Sequence, residues 1–189
     1  MKIIERKFKG VFEIDLSPHI DQRGFFMRTF DDKIFKENGL GFNWVQENHS
    51  RSVRKNIIRG LHFQFPPFVE TKLVRCIRGK VFDVFVDLRK NSPTFGLWDS
   101  IILSEKKFNC VLIPRGFAHG FCTLSKYSEI MYKVDNYYSK EHESGIIWND
   151  PNIGITWPEL ENDVMLSDRD KKHMSFNDFL MKYKNINNY

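Results

Sequence analysis

Roughly every 8 to 12 positions between Gly10 and Trp157, turn-forming residues break the chain into short strand-like runs, a spacing that restricts it to a β-sandwich or barrel. The breaks include Arg78-Gly79, Asn91-Ser92-Pro93 and Pro114-Arg115-Gly116, where Gly and Pro impose backbone conformations that strands avoid. The runs predict strands over Val11–Leu16, Phe25–Phe30, Trp44–Asn48, Ile57–Gln64, Lys72–Ile77, Val81–Leu88, Trp98–Leu103, Asn109–Ile113, Gly120–Leu124 and Glu129–Val134. Helical periodicity is confined to Asp31–Asn38 and Ser175–Lys184, the second capped by Ser175 with Phe176, Phe179 and Leu180 on one face. Neither helix carries a chemical motif, there is no internal repeat or low-complexity linker, and Asn185–Tyr189 reads as a frayed end.

A chain of 189 residues is long enough to bury a sizeable core and short enough for one domain over 1–189. Its 41% hydrophobic and 28% charged residues argue against disorder and for a soluble protein, with 18 phenylalanines to build an aromatic core. Charges interrupt every apolar run from Met1 to Gly10, so neither a signal peptide nor a membrane span is expected, and a cytoplasmic location follows. Cys76, Cys110 and Cys122 stand far apart without C-x-x-C spacing, which predicts buried thiols rather than disulfides or a zinc site. The net charge of +5 is carried by basic residues scattered singly, which favours a small phosphorylated ligand over nucleic acid.

Alternation along Val81–Leu88 puts Phe82, Val84, Val86 and Leu88 on one face and Val81, Asp83, Phe85 and Asp87 on the other, so two carboxylates share a face. Lys72, Val74 and Cys76 likewise share one, directing a lysine toward the cavity that His62 lines. Barrels that bind a metal through His-x-His have their counterpart here in His62-Phe63-Gln64, where glutamine replaces the second histidine. His119 alone does not restore a ligand set, so no metal is expected. An imidazole near neutral pKa suits proton transfer instead, and His62 then needs an orienting carboxylate, of which Leu166-Ser167-Asp168-Arg169-Asp170 offers two.

Taken together and in order, Asp21-Gln22-Arg23-Gly24-Phe25-Phe26, Val45-Gln46-Glu47-Asn48, Arg59-Gly60-Leu61-His62-Phe63-Gln64, Lys72-Leu73-Val74-Arg75 and Val86-Asp87-Leu88-Arg89 resemble the dTDP-4-dehydrorhamnose 3,5-epimerase family. The resemblance continues through Ser92-Pro93-Thr94-Phe95-Gly96, Gly116-Phe117-Ala118-His119-Gly120-Phe121, Trp148-Asn149-Asp150-Pro151 and Leu166-Ser167-Asp168-Arg169-Asp170. It implies an all-β, cupin-type double-stranded β-helix, or jelly-roll barrel, with a few short peripheral helices. The implied activity is a cofactor-independent inversion of C3 and C5 in a nucleotide-linked 4-keto-6-deoxy sugar, serving deoxysugar and surface polysaccharide synthesis.

Carried over by position, the resemblance makes His62 the base, Asp170 its partner, Tyr132 the acid on the opposite face and Lys72 the group that stabilises the enolate oxygen. Substrate contacts are implied for Arg23, Phe26, Gln46, Glu47, Asn48, Arg59, Asp83, His119, Glu143 and Arg169, with Tyr138 stacking on the base. A homodimer whose N-terminal strands pair across subunits, so that Arg23 and Phe26 complete the neighbour's site, is also implied. Arg28 occupies a substrate position where many family members have glutamate, and an acceptor exchanged for a donor changes which base edges can be read. A GDP-linked 4-keto-heptose therefore stays open as the substrate, as do a non-catalytic sugar-nucleotide-binding cupin and a metal-dependent oxygenase. Strict alternation sets Arg59 and His62 on opposite faces, and a bulge at Gly60 would bring both to one ligand.

Overall fold

The computed structural model describes residues 1–158 and 164–183. Along the chain run β1 (Lys2–Glu5), β2 (Phe12–Asp15), β3 (His19–Asp21), β4 (Gly24–Phe26), α1 (Asp32–Glu37), β5 (Gln46–Ser52), β6 (Ile58–Gln64) and β7 (Lys72–Arg78). They are followed by β8 (Lys80–Asp87), β9 (Trp98–Ser104), β10 (Asn109–Ile113), β11 (Phe117–Thr123), β12 (Ser128–Val134), β13 (Glu143–Gly145) and α2 (Phe176–Tyr183). Six strands in the order β1-β2-β10-β7-β12-β5 face five in the order β13-β6-β11-β8-β9, and β3 and β4 form a separate ribbon. Both large sheets are antiparallel throughout, and neighbours distant in sequence lie side by side, as in a jelly roll.

Strand alternation sorts the apolar residues into three layers. Inward-facing Val74 and Cys76 of β7, Val81 and Phe85 of β8, and Phe121 and Ile130 meet between the sheets. The outward faces are covered separately. Val84, Val86 and Leu88 pack beneath Phe176 and Phe179 of α2, while Leu73, Cys110 and Leu112 lie beneath Phe35 of α1 and Leu40. Burying a phenylalanine contributes about 1.5–3 kcal/mol, so these short helices are held by the sheets they cover rather than by intrinsic helicity. Each also has a side-chain cap. Asp31 accepts from the backbone of Lys33 and Ile34, and Ser175 and Asp178 exchange reciprocal bonds at the start of α2.

Several expected boundaries shift for local reasons. The run from Phe25 contracts to β4 because its partner β3 is three residues long, and Phe30 turns back to pack 4.9 Å from Phe35. The run at Trp44 starts at Gln46 and continues to Ser52, since β12 pairs with it along that whole length. β11 begins three residues before the expected Gly120, directly after the turn glycine Gly116, whose φ is +85°. Three short strands, β1, β3 and β13, carry too few residues to show an alternation and escape sequence reading. Lys184 and Asn185–Tyr189 lie outside the described residues. All three cysteines are free and buried; burial pushes the Cys76 and Cys110 thiols up to about 12 and that of Cys122 up to about 11.

Candidate active site

A cavity of about 700 Å³ opens at one end of the space between the sheets. β6 supplies Arg59 and His62 to its lining, β7 Lys72, β11 His119, β12 Tyr132, and β5 Gln46 and Asn48. Arg59 and His62 share the cavity because the β6–β11 register slips: His119 pairs with His62 and Phe121 with Arg59, so β6 spends one residue more than its neighbour. Glycines make the slip possible. A Cβ on Gly60 would lie 2.6 Å from the Gly120 Cα and 2.7 Å from the His119 carbonyl oxygen, and Gly60 has φ +124°.

At the centre, Nε2 of His62 is 2.7 Å from Oδ1 of Asp170, a residue of the 3-10 turn Asp170–Lys172. Asp170 is 3% exposed, whereas the His62 side chain keeps about a quarter of its surface, 26%, open to the cavity. Burial lowers the His62 pKa and the Asp170 bond opposes that shift without cancelling it, so the imidazole is neutral at neutral pH. For Asp170 burial acts to raise the pKa, but the His62 hydrogen bond and charge, with a bond from Ser167, outweigh it and hold the carboxyl ionised. With Nε2 engaged by the carboxylate, Nδ1 is the nitrogen left to accept a proton.

On the facing sheet, Tyr132 sits in β12 between Val74 of β7 and Asn48 of β5. The Lys72 ammonium lies 5.9 Å from the Tyr132 ring centre and 3.0 Å from Oε1 of Glu70. Deeper, His119 bonds through Nε2 to both oxygens of Asp83, at 3.0 and 2.9 Å. Asp83 is fully buried, its pKa raised by desolvation against the pull of His119, and reaches the cavity only through that histidine. At the mouth, Glu143 links two further residues: it accepts from the Tyr138 hydroxyl at 2.9 Å and from Arg169 at 2.6 Å. Gln46 accepts from the Tyr138 backbone at 2.7 Å, tying β5 to this rim.

Four sequence-predicted contacts stand apart from the cavity. Arg23 is paired with Asp21 at 2.6 Å on the exposed ribbon, and Phe26 beside it is 71% exposed. Arg28 donates to Asp31 at 2.8 Å at the start of α1. Glu47 points away because it alternates with Gln46 and Asn48, and it pairs with Lys133 at 2.9 Å. Conversely, sequence reading missed Glu70, Arg51, Ser167 and His173. The carboxylate two residues before Lys72 was a usable sign for Glu70; His173, which lies against the dyad, follows Asp170 by three residues and has no motif of its own.

Among the described residues one trio, His62, Asp170 and His173, presents ligand-type atoms within 4.8 Å of one another. Its shared oxygen, Asp170 Oδ1, is the acceptor of the His62 bond. Two imidazoles and one carboxylate are donors that suit a borderline divalent ion, but an ion there would displace that bond and occupy the nitrogen that holds the His62 ring in place.

A jelly-roll cavity with a histidine–aspartate dyad on one wall and a phenol beside a lysine on the other fits a class, the proton-transferring sugar epimerases. The match to known proteins is narrower. The chain belongs to the dTDP-4-dehydrorhamnose 3,5-epimerase family, which it matches over residues 5–178. It is 46% identical over 179 residues to the dTDP-4-dehydrorhamnose 3,5-epimerase of Shigella flexneri, covering 94% of this chain and 97% of the relative. The crystal structure of the Bacillus anthracis enzyme with TDP and pyrophosphate bound is 43% identical, superposes with a TM-score of 0.89, and is matched over 93% of this chain and 99% of its own. The Legionella pneumophila enzyme in complex with dTDP-4-keto-L-rhamnose is 41% identical, with a TM-score of 0.89 and 93% of both chains covered. The protein is thus an isomerase of the nucleotide-sugar epimerase type. No helix among the described residues is long and apolar enough to cross a membrane.

Proposed function

We propose that the chain, as a single domain, inverts C3 and C5 of a dTDP-linked 4-keto-6-deoxyhexose by proton transfer between two faces. The observation that carries the reading is the opposition of His62, on the five-stranded sheet, to Tyr132, on the six-stranded sheet, across one cavity. C3 and C5 both flank the C4 ketone, so each is a carbon acid whose proton can leave as an enolate forms. His62 Nδ1 takes that proton; Asp170 then faces an imidazolium and stabilises it. Charge developing on O4 is met by the Lys72 ammonium. Tyr132 returns a proton to the opposite face, the carbon inverts, and the two protein groups exchange protons with solvent to reset. Each inversion is redox-neutral and consumes nothing.

Arg59 and Arg169 at the cavity supply guanidinium forks for the diphosphate, and Tyr138 offers a flat ring for the base. The GDP-linked heptose reading is not favoured by the relatives, and Arg28, which raised it, pairs with Asp31 off the cavity. The same relatives disfavour a non-catalytic cupin. Homodimer formation through the β3–β4 ribbon is supported by its exposed Ile20, Phe25 and Phe26 and would bring Arg23 to a neighbour's site; a cytoplasmic location accords with the sugar-nucleotide substrate.

The test is to incubate the protein in D₂O with dTDP-, GDP-, CDP- and UDP-linked 4-keto sugars and read deuterium at C3 and C5 by NMR. Incorporation at both carbons with the dTDP sugar, abolished in His62→Asn, is the expected result. Unimpaired exchange in His62→Asn sinks the assignment of the base, and preference for another nucleotide sinks that of the substrate.

A further inference from the structure

We infer that His173 is a positioning residue for this reaction: wedged behind the dyad, it fixes the His62 ring and shares the Asp170 carboxylate, which keeps the base in its proton-accepting form. The inference rests on the reading of His62 as the base.

Its ring stands edge-on to that of His62, 5.3 Å between centres and 88° between planes. The side chain is 9% exposed, and Nε2 lies 3.8 Å from Asp170 Oδ1, the oxygen that His62 uses at 2.7 Å. From behind, it rests on Gly145, the β13 residue paired with His62 in register. A Cβ on Gly145 would come within 2.5 Å of both Cε1 and Nδ1 of His173, so the missing side chain is the space that the ring fills. His173 Nδ1 is buried without a hydrogen-bond partner among the described residues. A proton there would be an unmet buried donor, which is costlier than an unfilled lone pair; the neutral ring therefore carries its proton on Nε2, toward Asp170.

The direction of the effect follows from the geometry. The Nε2–H of His173, 3.8 Å from Oδ1, is too far to hydrogen-bond, but its positive end still draws on the same negative charge and leaves less of it to stabilise protonated His62. Were His173 itself protonated, its repulsion of the His62 imidazolium would act the same way. The other charged or titratable groups that line the cavity with His62 are Arg59 of β6 itself, Arg51 of β5, Arg169 from the segment that carries Asp170, Lys72 of β7 with its partner Glu70, His119 of β11, Tyr132 and Tyr138, and Glu143 of β13, which is tied to Arg169. Burial holds the His173 pKa below its ordinary 6.5, so the ring is neutral rather than a second cation at neutral pH.

The experiment compares the wild-type chain with His173→Phe and His173→Gln, recording the pH dependence of kcat/KM and the NMR titration of the His62 imidazole without substrate. Phenylalanine keeps the packing and deletes the donor: the acidic limb and the His62 midpoint should both move up by roughly half a pH unit or more, about threefold in rate on that limb. Glutamine restores an N–H near the Nε2 position and should return both toward wild type. Loss of rate in both variants with an unmoved limb and midpoint would reduce His173 to a packing residue and overturn the inference. Should His173→Phe not fold, a His173→Gln midpoint that stays with wild type supports the inference and one that moves up as far as expected for a lost donor counts against it. A midpoint that moves while the kinetic limb does not would instead mean that the limb belongs to another group, which defeats the reading of His62 as base and leaves the coupling standing.

Discussion

Replacing Asp170 by asparagine removes one charge from a site that is 3% exposed and exchanges an acceptor for a group that can also donate. In the native dyad the carboxylate fixes the tautomer: Nε2–H donates to Oδ1 at 2.7 Å and Nδ1 is free to accept. The asparagine amide can turn its NH₂ toward Nε2, which moves the ring proton to Nδ1, the nitrogen that must be empty. Electrostatics adds a second loss. Opposite charges with centres ~4 Å apart attract by about 4 kcal/mol at an effective dielectric constant near 20, and this attraction develops only as His62 becomes charged. At 1.36 kcal/mol per tenfold that is a ceiling of about 10³, and the remaining exposure of the His62 ring lowers the expectation to roughly 10²–10³ in kcat. KM should change little, since Asp170 reaches the substrate only through His62. The assay is C3 and C5 deuterium exchange under saturating dTDP-4-keto-6-deoxyglucose, with unfolding by urea run alongside. A folded Asp170→Asn protein within about threefold of wild-type kcat would refute the dyad argument.

Other expectations follow from the same structure. Tyr132→Phe keeps the ring in β12 but removes the acid, so the His62 face should still wash deuterium into substrate while formation of the doubly inverted product falls at least about a hundredfold; equal loss of both reactions counts against a two-face mechanism. Because the His62 pKa lies below 6.5, the base stays deprotonated as pH falls through that value, and the acidic limb of kcat/KM should appear below pH 6.5; a limb above it contradicts the burial argument. Asp87 is held below its ordinary 3.8 because bonds from Arg89, Ser92 and Thr94 outweigh burial. Its contribution is therefore complete above about pH 4 and lost as pH falls through the lower folded value. Asp87→Asn should cost about 2–4 kcal/mol by urea unfolding at neutral pH, a difference that shrinks in acid. Gly60→Ala puts a methyl against the backbone of His119 and Gly120, and should abolish activity or yield insoluble protein; wild-type behaviour would show that the bulge tolerates a side chain.

What the sequence discloses and what it withholds separate along one physical line. Alternation is a property of a single strand, so Val81–Leu88 and Lys72–Cys76 could be assigned their faces from residue order, and the structure puts Asp83 and Lys72 on the interior side as that order requires. Even the bulge at Gly60 was legible, because Arg59 and His62 could share a ligand only if the two-residue period failed between them. Contacts between strands remote in sequence have no such signature. Asp170 reaches His62 across 108 positions, and one carboxylate could be preferred to its neighbour Asp168 only by resemblance. His173 was invisible for the same reason: the glycine that makes room for it, Gly145, lies on a three-residue strand too short to recognise. Arg23, Phe26, Arg28 and Glu47 illustrate the converse. Their positions in the family pattern are clear, yet within one chain they face solvent or local ion pairs. For Arg23 and Phe26 the deciding surface, in the proposed homodimer, would be a second subunit, which would cover a ribbon that leaves two phenylalanines more than half exposed.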